Sequence, residues 1–351
     1  MCAQVPDPEF IDGGSARFRP AWWLLGPHGQ TLGARFTRSA RGVRLVRERL
    51  ATPDDDFLDL DWAATDPAQN VAAGGPLVVV LHGLEGSAGS GYALETYRAL
   101  ARVGLGAVGL NFRSCGGTLN RAARLYHSGE TDDLRYVVRL LAGRHPGRPL
   151  GAIGFSLGGN VLLKYLGEEA RRGSVTPLAA AAAVSVPYDL AAGARHMERG
   201  FARIYVRRLL RSLKAKLRVK ADVVGDRVDL PRALAATTFH EFDDAATAPL
   251  HGFAGADDYY ARSSSGPFVQ DVAVPTRLIH ADDDPFLPGT AVPREAARAN
   301  PRIDACFTAV GGHVGFVQGS PWARRYWAEA RASEFVARHL GGGRGESSAP
   351  T

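Results

Sequence analysis

Cysteine is scarce in this chain. Cys2, Cys115 and Cys306 are widely spaced and odd in number across 351 residues. No disulfide framework and no zinc-ligand spacing follows, and a reducing, cytoplasmic setting is the expectation. Long apolar runs are also missing. The longest small-apolar stretch, Leu178 to Pro187, is far too short to span a bilayer. Met1 to Phe10 has neither the basic start nor the apolar segment of a secretory leader, so none is expected. No internal repeat is visible. Basic charge is not spread broadly enough to mark a nucleic-acid surface. The net charge is +6, yet residues 195–220 hold ten Lys or Arg against one acid, Glu198, which makes that segment +9 and the remainder −3. No lysine of Walker type follows the glycine loop Ser114-Cys115-Gly116-Gly117, which argues against a nucleotide. No His/Cys cluster suggests a metal, and no cofactor is expected.

What is present is ordinary globular material, 45% hydrophobic and 22% charged, with ample apolar content for a large core. Length alone would suggest two domains, but large α/β sheets run longer as one unit. Residues 1–17 carry Pro, Asp and Gly without periodicity and read as a loose tail. The paired tryptophans in Phe18-Arg19-Pro20-Ala21-Trp22-Trp23 read as packing onto the domain. Val43 to Leu50 and Phe57 to Trp62 alternate in period two around Pro53-Asp54-Asp55-Asp56, a hairpin with a solvated acidic turn.

From Leu77 onward strands and helices alternate. Strands are predicted over 77–81, 106–112, 149–153, 178–186, 276–281 and 303–310. Helices are predicted over about 92–102, 131–143, 160–170, 293–299 and 322–340. The β-branched run Leu77-Val78-Val79-Val80-Leu81 marks a strand buried on both faces. The fold class is therefore α/β, with a mainly parallel central sheet and helices on both faces. Residues 189–265 interrupt the alternation. Within them 194–220 reads as an amphipathic helix or pair, with Phe201, Tyr205, Leu209, Leu213 and Leu217 recurring every four residues. Thr237 to Asp244 and Gly255 to Tyr260 read as loops. The whole segment is expected to lie over the C-terminal edge of the sheet as a lid. Gly341 to Thr351 reads as a disordered tail.

The chemistry centres on Gly154-Phe155-Ser156-Leu157-Gly158-Gly159. The pattern Gly-x-Ser-x-Gly is weak alone, but here it stands between a buried strand and a helix. That context makes it a nucleophile elbow, a turn so tight that the serine is strained and its hydroxyl stands clear. A serine nucleophile needs a base, and the base an orienting acid. In a sheet of this kind they should follow the last strands, in the order Ser, Asp, His. His313 sits in Gly311-Gly312-His313-Val314-Gly315-Phe316, after the last strand. The acid comes from Asp282-Asp283-Asp284-Pro285. Asp284 is favoured because Pro285 and Pro288 fix the backbone after it, with Asp283 as runner-up. Backbone N–H groups of Leu157 and Leu84 are the expected oxyanion donors.

These residues together resemble the YheT-like branch of the α/β-hydrolase superfamily, which includes bacterial esterases and eukaryotic abhydrolase-domain lipases. The resemblance covers about residues 18–340. It runs through Phe18-Arg19-Pro20 with Trp22-Trp23, Gly26 to Thr31, His82 to Gly86, Asn111-Phe112-Arg113, Tyr126 to Gly129, Gly154 to Asn160, Ala281 to Pro288 and Gly311 to Phe316. It implies a single α/β-hydrolase domain over 18–340 with a lid at about 189–265, and places the family's serine, aspartate and histidine on Ser156, Asp284 and His313. One departure is Ser114, where the family usually has glycine.

The expected activity is a serine carboxylic-ester hydrolase, a short- to medium-chain carboxylesterase or acylglycerol lipase, acting on a small ester or lipid. Two other readings are an acyltransferase using the same serine and a non-catalytic binding protein on a hydrolase fold. The sequence His127-Ser128-Gly129-Glu130-Thr131-Asp132 fits His-x4-Asp, a pattern linked to acyl transfer, although capping by Thr131 or Asp132 is the simpler reading. The basic segment 195–220 has two readings, a solvated helix face or peripheral contact with an anionic membrane.

Overall fold

The structure is a computed structural model that describes residues 17–39, 41–65 and 75–341. The tails expected over 1–17 and 341–351 lie outside the described residues except for Arg17 and Gly341. A helix α1 (Gly26–Thr37) precedes an antiparallel pair, β1 (Val43–Ala51) and β2 (Phe57–Thr65). Alternation then begins with β3 (Leu77–Leu81), α2 (Gly91–Arg102), β4 (Gly106–Asn111), α3 (Asp132–Arg144), β5 (Leu150–Phe155), α4 (Leu157–Arg171) and β6 (Leu178–Val184). A helical segment follows, including α5 (Leu190–Met197), α6 (Arg203–Val219) and α7 (Ala256–Ser263). The alternation closes with β7 (Thr276–Ala281), α8 (Arg294–Ala299), β8 (Ile303–Thr308), a hairpin β9 (Val317–Ser320) and β10 (Ala323–Tyr326), and α9 (Trp327–Leu340).

The main sheet has the order β1-β2-β4-β3-β5-β6-β7-β8. It is parallel from β4 through β8, and β2 joins it antiparallel to β4. The central strands have no solvent face, so their side chains alternate between two cores. Leu77, Val79, Leu81 and Ala152 face α3, α4 and α8 through Val137, Leu141, Leu162 and Ala297. Val78, Val80, Ile153 and Phe155 face α2 and α9 through Leu94, Tyr97, Trp327 and Val336. The inserted segment builds a third core from Met197, Tyr205, Leu213, Leu217, Phe239, Tyr259 and Tyr260. Among the described residues, no helix is long and apolar enough to cross a membrane.

Several expectations are corrected. Trp22 is 71% exposed and only Trp23 of the pair is partly covered, its indole N–H donating to Gly319 O at 2.9 Å. The packing residue is Phe18, against Phe316 and Trp327. Most of Thr237–Asp244 and Gly255–Tyr260 is helical rather than loop, from Phe239 and from Ala256 onward, with Thr238 and Glu241 forming a capping box. The last helix starts at Trp327, because a hairpin occupies the first residues assigned to it.

The acidic turn is exposed at Asp54 and Asp55, as expected, but not at Asp56. Asp56 is buried and its carboxylate accepts N–H bonds from Phe57 (2.9 Å), Arg121 (2.8 Å) and Ala122 (3.1 Å), with Asn120 and Arg113 at 2.7 and 3.0 Å. Burial pushes its carboxyl up, but these bonds outweigh it and hold it at about 2. Its folded value lies below its ordinary value of 3.8. The stability it contributes is therefore complete above that value and is lost as pH falls through about 2. The buried Arg113 guanidinium pairs with Asp54, Asp56 and Asp133 at 2.8–3.0 Å. Removing the cation would leave buried carboxylates uncompensated. Arg113→Met is expected to lower the unfolding free energy by about 3–5 kcal/mol in urea titration. A loss under about 1 kcal/mol would mean that these pairs do not hold the β1–β2 turn to α3.

Next to Arg113, Ser114 has φ 65°, the left-handed region where glycine is unstrained. The serine is anchored there by its hydroxyl, which donates to Asn120 Oδ1 at 2.6 Å and accepts the Asn120 N–H at 3.2 Å.

Candidate active site

At the C-terminal end of β5 the chain reverses into α4 through Ser156, at φ 52° and ψ −120°. The close approach leaves no room for side chains on either flank. A Cβ on Gly154 would meet Gly158 O at 2.5 Å, and one on Gly158 would meet His82 O at 2.6 Å. The free N–H groups at the start of α4 face the serine.

His313 and Asp284 come to the same place from the loops after β8 and β7. His313 Nε2 lies 2.9 Å from Ser156 Oγ. On the far side of the ring, Nδ1 lies 2.8 and 3.0 Å from the two oxygens of Asp284. Asp283 does not face the imidazole. Its Oδ1 accepts the Gly312 N–H at 2.8 Å and so ties the β7 loop to the histidine loop. Burial pushes the Asp284 carboxyl up, but His313 through charge and hydrogen bond, with His280 and the Phe286 N–H, brings the net shift below its ordinary value. The Asp284 carboxylate is therefore charged at neutral pH. Phe286 stacks on His313 with centroids 3.9 Å apart and planes within 2°.

The histidine loop is held in part by residues that carry the family resemblance but to which the sequence assigns no role. His313 N–H donates to Thr31 Oγ1 at 2.9 Å, and Gln30 Oε1 accepts the Val317 N–H at 2.8 Å. Both lie on α1, a helix not predicted because its glycines and Pro27 mask its periodicity. Pro27 at its first turn was the available signal. Ser185, at φ 52° just past β6, accepts the Val314 N–H at 2.9 Å. Nothing local in the sequence marks that serine.

The loop after β3 passes directly against the serine, since a Cβ on Gly83 would lie 3.1 Å from Ser156 Cβ. Most N–H groups of this loop are taken. Gly83 donates to Tyr92 Oη (2.8 Å), Glu85 to Tyr126 Oη (2.8 Å), Gly86 to Gly83 O (3.0 Å), Ser87 to Ser90 Oγ (3.0 Å) and Ala88 to Asn111 Oδ1 (2.9 Å). Among the described residues, the Leu84 N–H is the one from 83 to 88 without an acceptor. Leu157, the first residue of α4, likewise has no acceptor for its N–H among the described residues.

Over this centre lies a cavity of about 860 Å³. Its walls are mostly apolar, with Leu84, Tyr205, Leu209 and Phe239 among them, and Ser156 and His313 open into it. The inserted segment supplies one wall. Glu85 ties the segment down: it accepts from Lys216 Nζ at 2.7 Å, from Tyr126 Oη at 2.7 Å and from Ser212. The stripe on α6 differs in detail from the predicted one. Tyr205, Val206, Leu210, Leu213 and Leu217 are buried, while Phe201 is 46% exposed. The basic face is also divided. Lys216 and Lys220 turn inward, Lys220 Nζ lying 2.9 Å from Asn120 Oδ1, and Lys214 donates to Ala236 O. Arg203, Arg207, Arg208, Arg211 and Arg218 stay exposed with no ion-pair partner among the described residues.

The His-x4-Asp sequence does not form a unit. Asp132 is solvent-exposed and pairs with Arg135, while His127 turns toward His251, with ring centroids 4.4 Å apart. The start of α3 is capped by neither Thr131 nor Asp132. Glu130 Oε1 accepts the Asp132 and Asp133 N–H groups at 3.2 and 3.4 Å. His127, Glu130 and His251 each offer an atom within 4.8 Å of the others. Their lone pairs are already used in part: His127 Nδ1 accepts the Gly129 N–H at 3.1 Å, and Glu130 binds Arg124. Burial first, then Arg124, Lys164 and Arg262, lowers His127 to about 3. The same positive surroundings oppose a further cation, so this group fits a metal poorly.

Comparison with known proteins places this geometry in context. The alpha/beta hydrolase fold family matches residues 76–320. The chain is 39% identical to the candidate esterase YheT of Escherichia coli, over 93% of this chain and 94% of that one. It is 32% identical to "Phospholipase ABHD3" of Mus musculus, over 88% of this chain and 75% of that one. Among solved structures, the Pyrococcus furiosus esterase Pf2001 superposes with a TM-score of 0.54 over 85% of this chain and 94% of that one, at 18% identity, a likeness of fold.

Proposed function

Since the chain belongs to the alpha/beta hydrolase fold family, in its YheT-like branch, we propose that it is a serine hydrolase of carboxylic esters that works through an acyl-enzyme. The observation that carries the reading is the unbroken run of contacts Ser156 Oγ to His313 Nε2, and His313 Nδ1 to Asp284. Ser156 Oγ attacks the ester carbonyl as His313 Nε2 takes its proton. Asp284 holds the ring in the tautomer that leaves Nε2 free to accept, and stabilises the imidazolium. The negative charge on the carbonyl oxygen falls to the Leu84 and Leu157 N–H groups, with the α4 N-terminus behind them. His313 returns the proton to the leaving alcohol. Water then enters, loses a proton to His313 and releases the acid.

The apolar cavity suits a short or medium acyl chain, and the segment 189–265 acts as the lid above it. A p-nitrophenyl ester series from acetate to palmitate tests this directly. Turnover is expected to peak within the series and fall at its long end. No hydrolysis of any member would count against the reading.

The names of relatives, a phospholipase and the "Monoacylglycerol lipase" of Saccharomyces cerevisiae, favour lipid esters as substrates. Peripheral contact with an anionic membrane through 195–220 fits that reading, carried by the exposed arginines of α6. Each basic residue near such a surface contributes about 1 kcal/mol. Reversing Arg203, Arg207 and Arg211 to Glu is therefore expected to weaken co-sedimentation with phosphatidylserine vesicles by orders of magnitude at low salt. Equal sedimentation of wild type and variant would assign this face to solvation alone.

A further inference from the structure

The cavity over Ser156 is lined by five side chains of charged type, Arg35, Arg38, Glu85, Asp243 and Arg208, and by His127 in addition to His313. They are not equivalent. Arg38 is buried and spent on Glu329 and on Val314 O at 2.8 Å. Glu85 is held by Tyr126, Ser212 and Lys216. Asp243 accepts from Tyr260 Oη at 2.8 Å and Thr247 Oγ1 at 2.6 Å, and burial pushes its carboxyl up to about 6. His127 is kept neutral by burial. That leaves two charges with nothing to answer them. Among the described residues, neither Arg35 nor Arg208 has a hydrogen-bond acceptor or a carboxylate partner.

The two arginines line the cavity from different elements. Arg35 stands in the last turn of α1, the helix that holds the histidine loop. Arg208 stands on α6, in the inserted segment. Both face the same cavity, and burial first, and then the charge of Arg208, lowers the Arg35 guanidinium below its ordinary value. Around them the lining is apolar, with Leu32, Phe36, Phe201 and Ile204. Two like charges over an apolar wall, with every nearby acid already engaged, form a site that an anion would relieve. Guanidinium is suited to it, because it keeps its charge and presents paired N–H donors to carboxylate or phosphate oxygens.

We propose that Arg35 and Arg208 form an anion subsite at the mouth of the cavity, so that the preferred ester carries a carboxylate or phosphate group away from the bond that is cut. An anion seated there would also bridge α1 to α6 and draw the inserted segment over the bound ester. This inference rests on the hydrolase reading above and deepens it.

The test compares matched esters in two arms. One arm sets the mono-p-nitrophenyl ester of a dicarboxylic acid against the neutral p-nitrophenyl ester of the same chain length. The other sets a 1-acylglycerol 3-phosphate against the matching monoacylglycerol. In at least one arm kcat/KM for the anionic member should exceed that for the neutral one by about tenfold or more, as charge-assisted hydrogen bonds allow. The preferring arm identifies the group as carboxylate or phosphate. Arg35→Ala and Arg208→Ala should each bring the ratio toward one, and Arg35→Lys should retain part of it. Raising the salt should shrink the preference in wild type, through KM. Both residues are exposed, and substitutions there should leave folding intact. Preference for the neutral ester in both arms, or a ratio unchanged in both alanine variants, overturns the proposal while leaving the hydrolase reading standing. A protein that hydrolyses no ester and takes up no fluorophosphonate would end both together.

Discussion

Ser156→Ala and His313→Ala are each expected to lower kcat for a p-nitrophenyl ester by about 10^6-fold, and the double variant to be no worse than either single one. The reason is the geometry. Without Ser156 Oγ there is no atom for His313 Nε2, 2.9 Å away, to activate. Without the imidazole the hydroxyl stays protonated and weakly nucleophilic. Each loss removes the same step, so the second costs nothing further. What remains in all three variants is binding and the oxyanion donors, which alone give a rate above that of water. Circular dichroism and urea midpoints should match wild type for Ser156→Ala, since the side chain is only partly buried and, among the described residues, its hydroxyl bonds only His313. Additive losses in the double variant would mean that the two residues act independently, and that the proposed mechanism is wrong.

Asp284→Asn is expected to lower kcat by about 10^4-fold, and Asp283→Asn to do far less. An amide at 284 can donate to His313 Nδ1, which favours the tautomer with its proton on Nε2. That tautomer cannot take the proton of Ser156. The buried carboxylate also stabilises the imidazolium formed in the transition state, and the amide does not. Asp283 is different in kind. It accepts the Gly312 N–H, so Asn at that position keeps an acceptor oxygen and most of the loop geometry. Steady-state kinetics on the two variants decide between them. The reverse ranking would give the orienting role to Asp283.

Much of this was legible in the sequence, for a physical reason. Strands of a parallel sheet are buried on both faces, so 77–81, 150–155 and 178–184 appear as unbroken apolar runs between glycine-rich turns. A nucleophile elbow is local, and its glycines are demanded by contacts of 2.5–2.6 Å within a few residues or one strand away. His313 and the acidic loop could be singled out because the loops after the last two strands of such a sheet lie beside the turn after β5, and the structure brings His313 to 2.9 Å from Ser156.

What was missed is non-local. The support of His313 comes from Thr31, and nothing near Thr31 announces a partner at 313. Asp56 looked solvated within a run of three acids. It is buried because Arg113, Asn120 and the 121–122 backbone close over it. The helices of 239–263 are too short to carry a periodic signal and are stabilised by the aromatic core that they share. The basic run of 195–220 looked like a single solvated face, yet Lys216 and Lys220 are drawn in by Glu85 and Asn120.

The proposed chemistry requires Ser156 to be an activated nucleophile, and the most direct measurement of that is covalent labelling. Wild-type protein is treated with a fluorophosphonate, digested and mapped by mass spectrometry, with esterase activity followed in parallel. One adduct per chain is expected, on Ser156, forming in step with the loss of activity and absent from His313→Ala. Full activity after stoichiometric labelling, or an active enzyme whose adduct lies on a different residue, would contradict it.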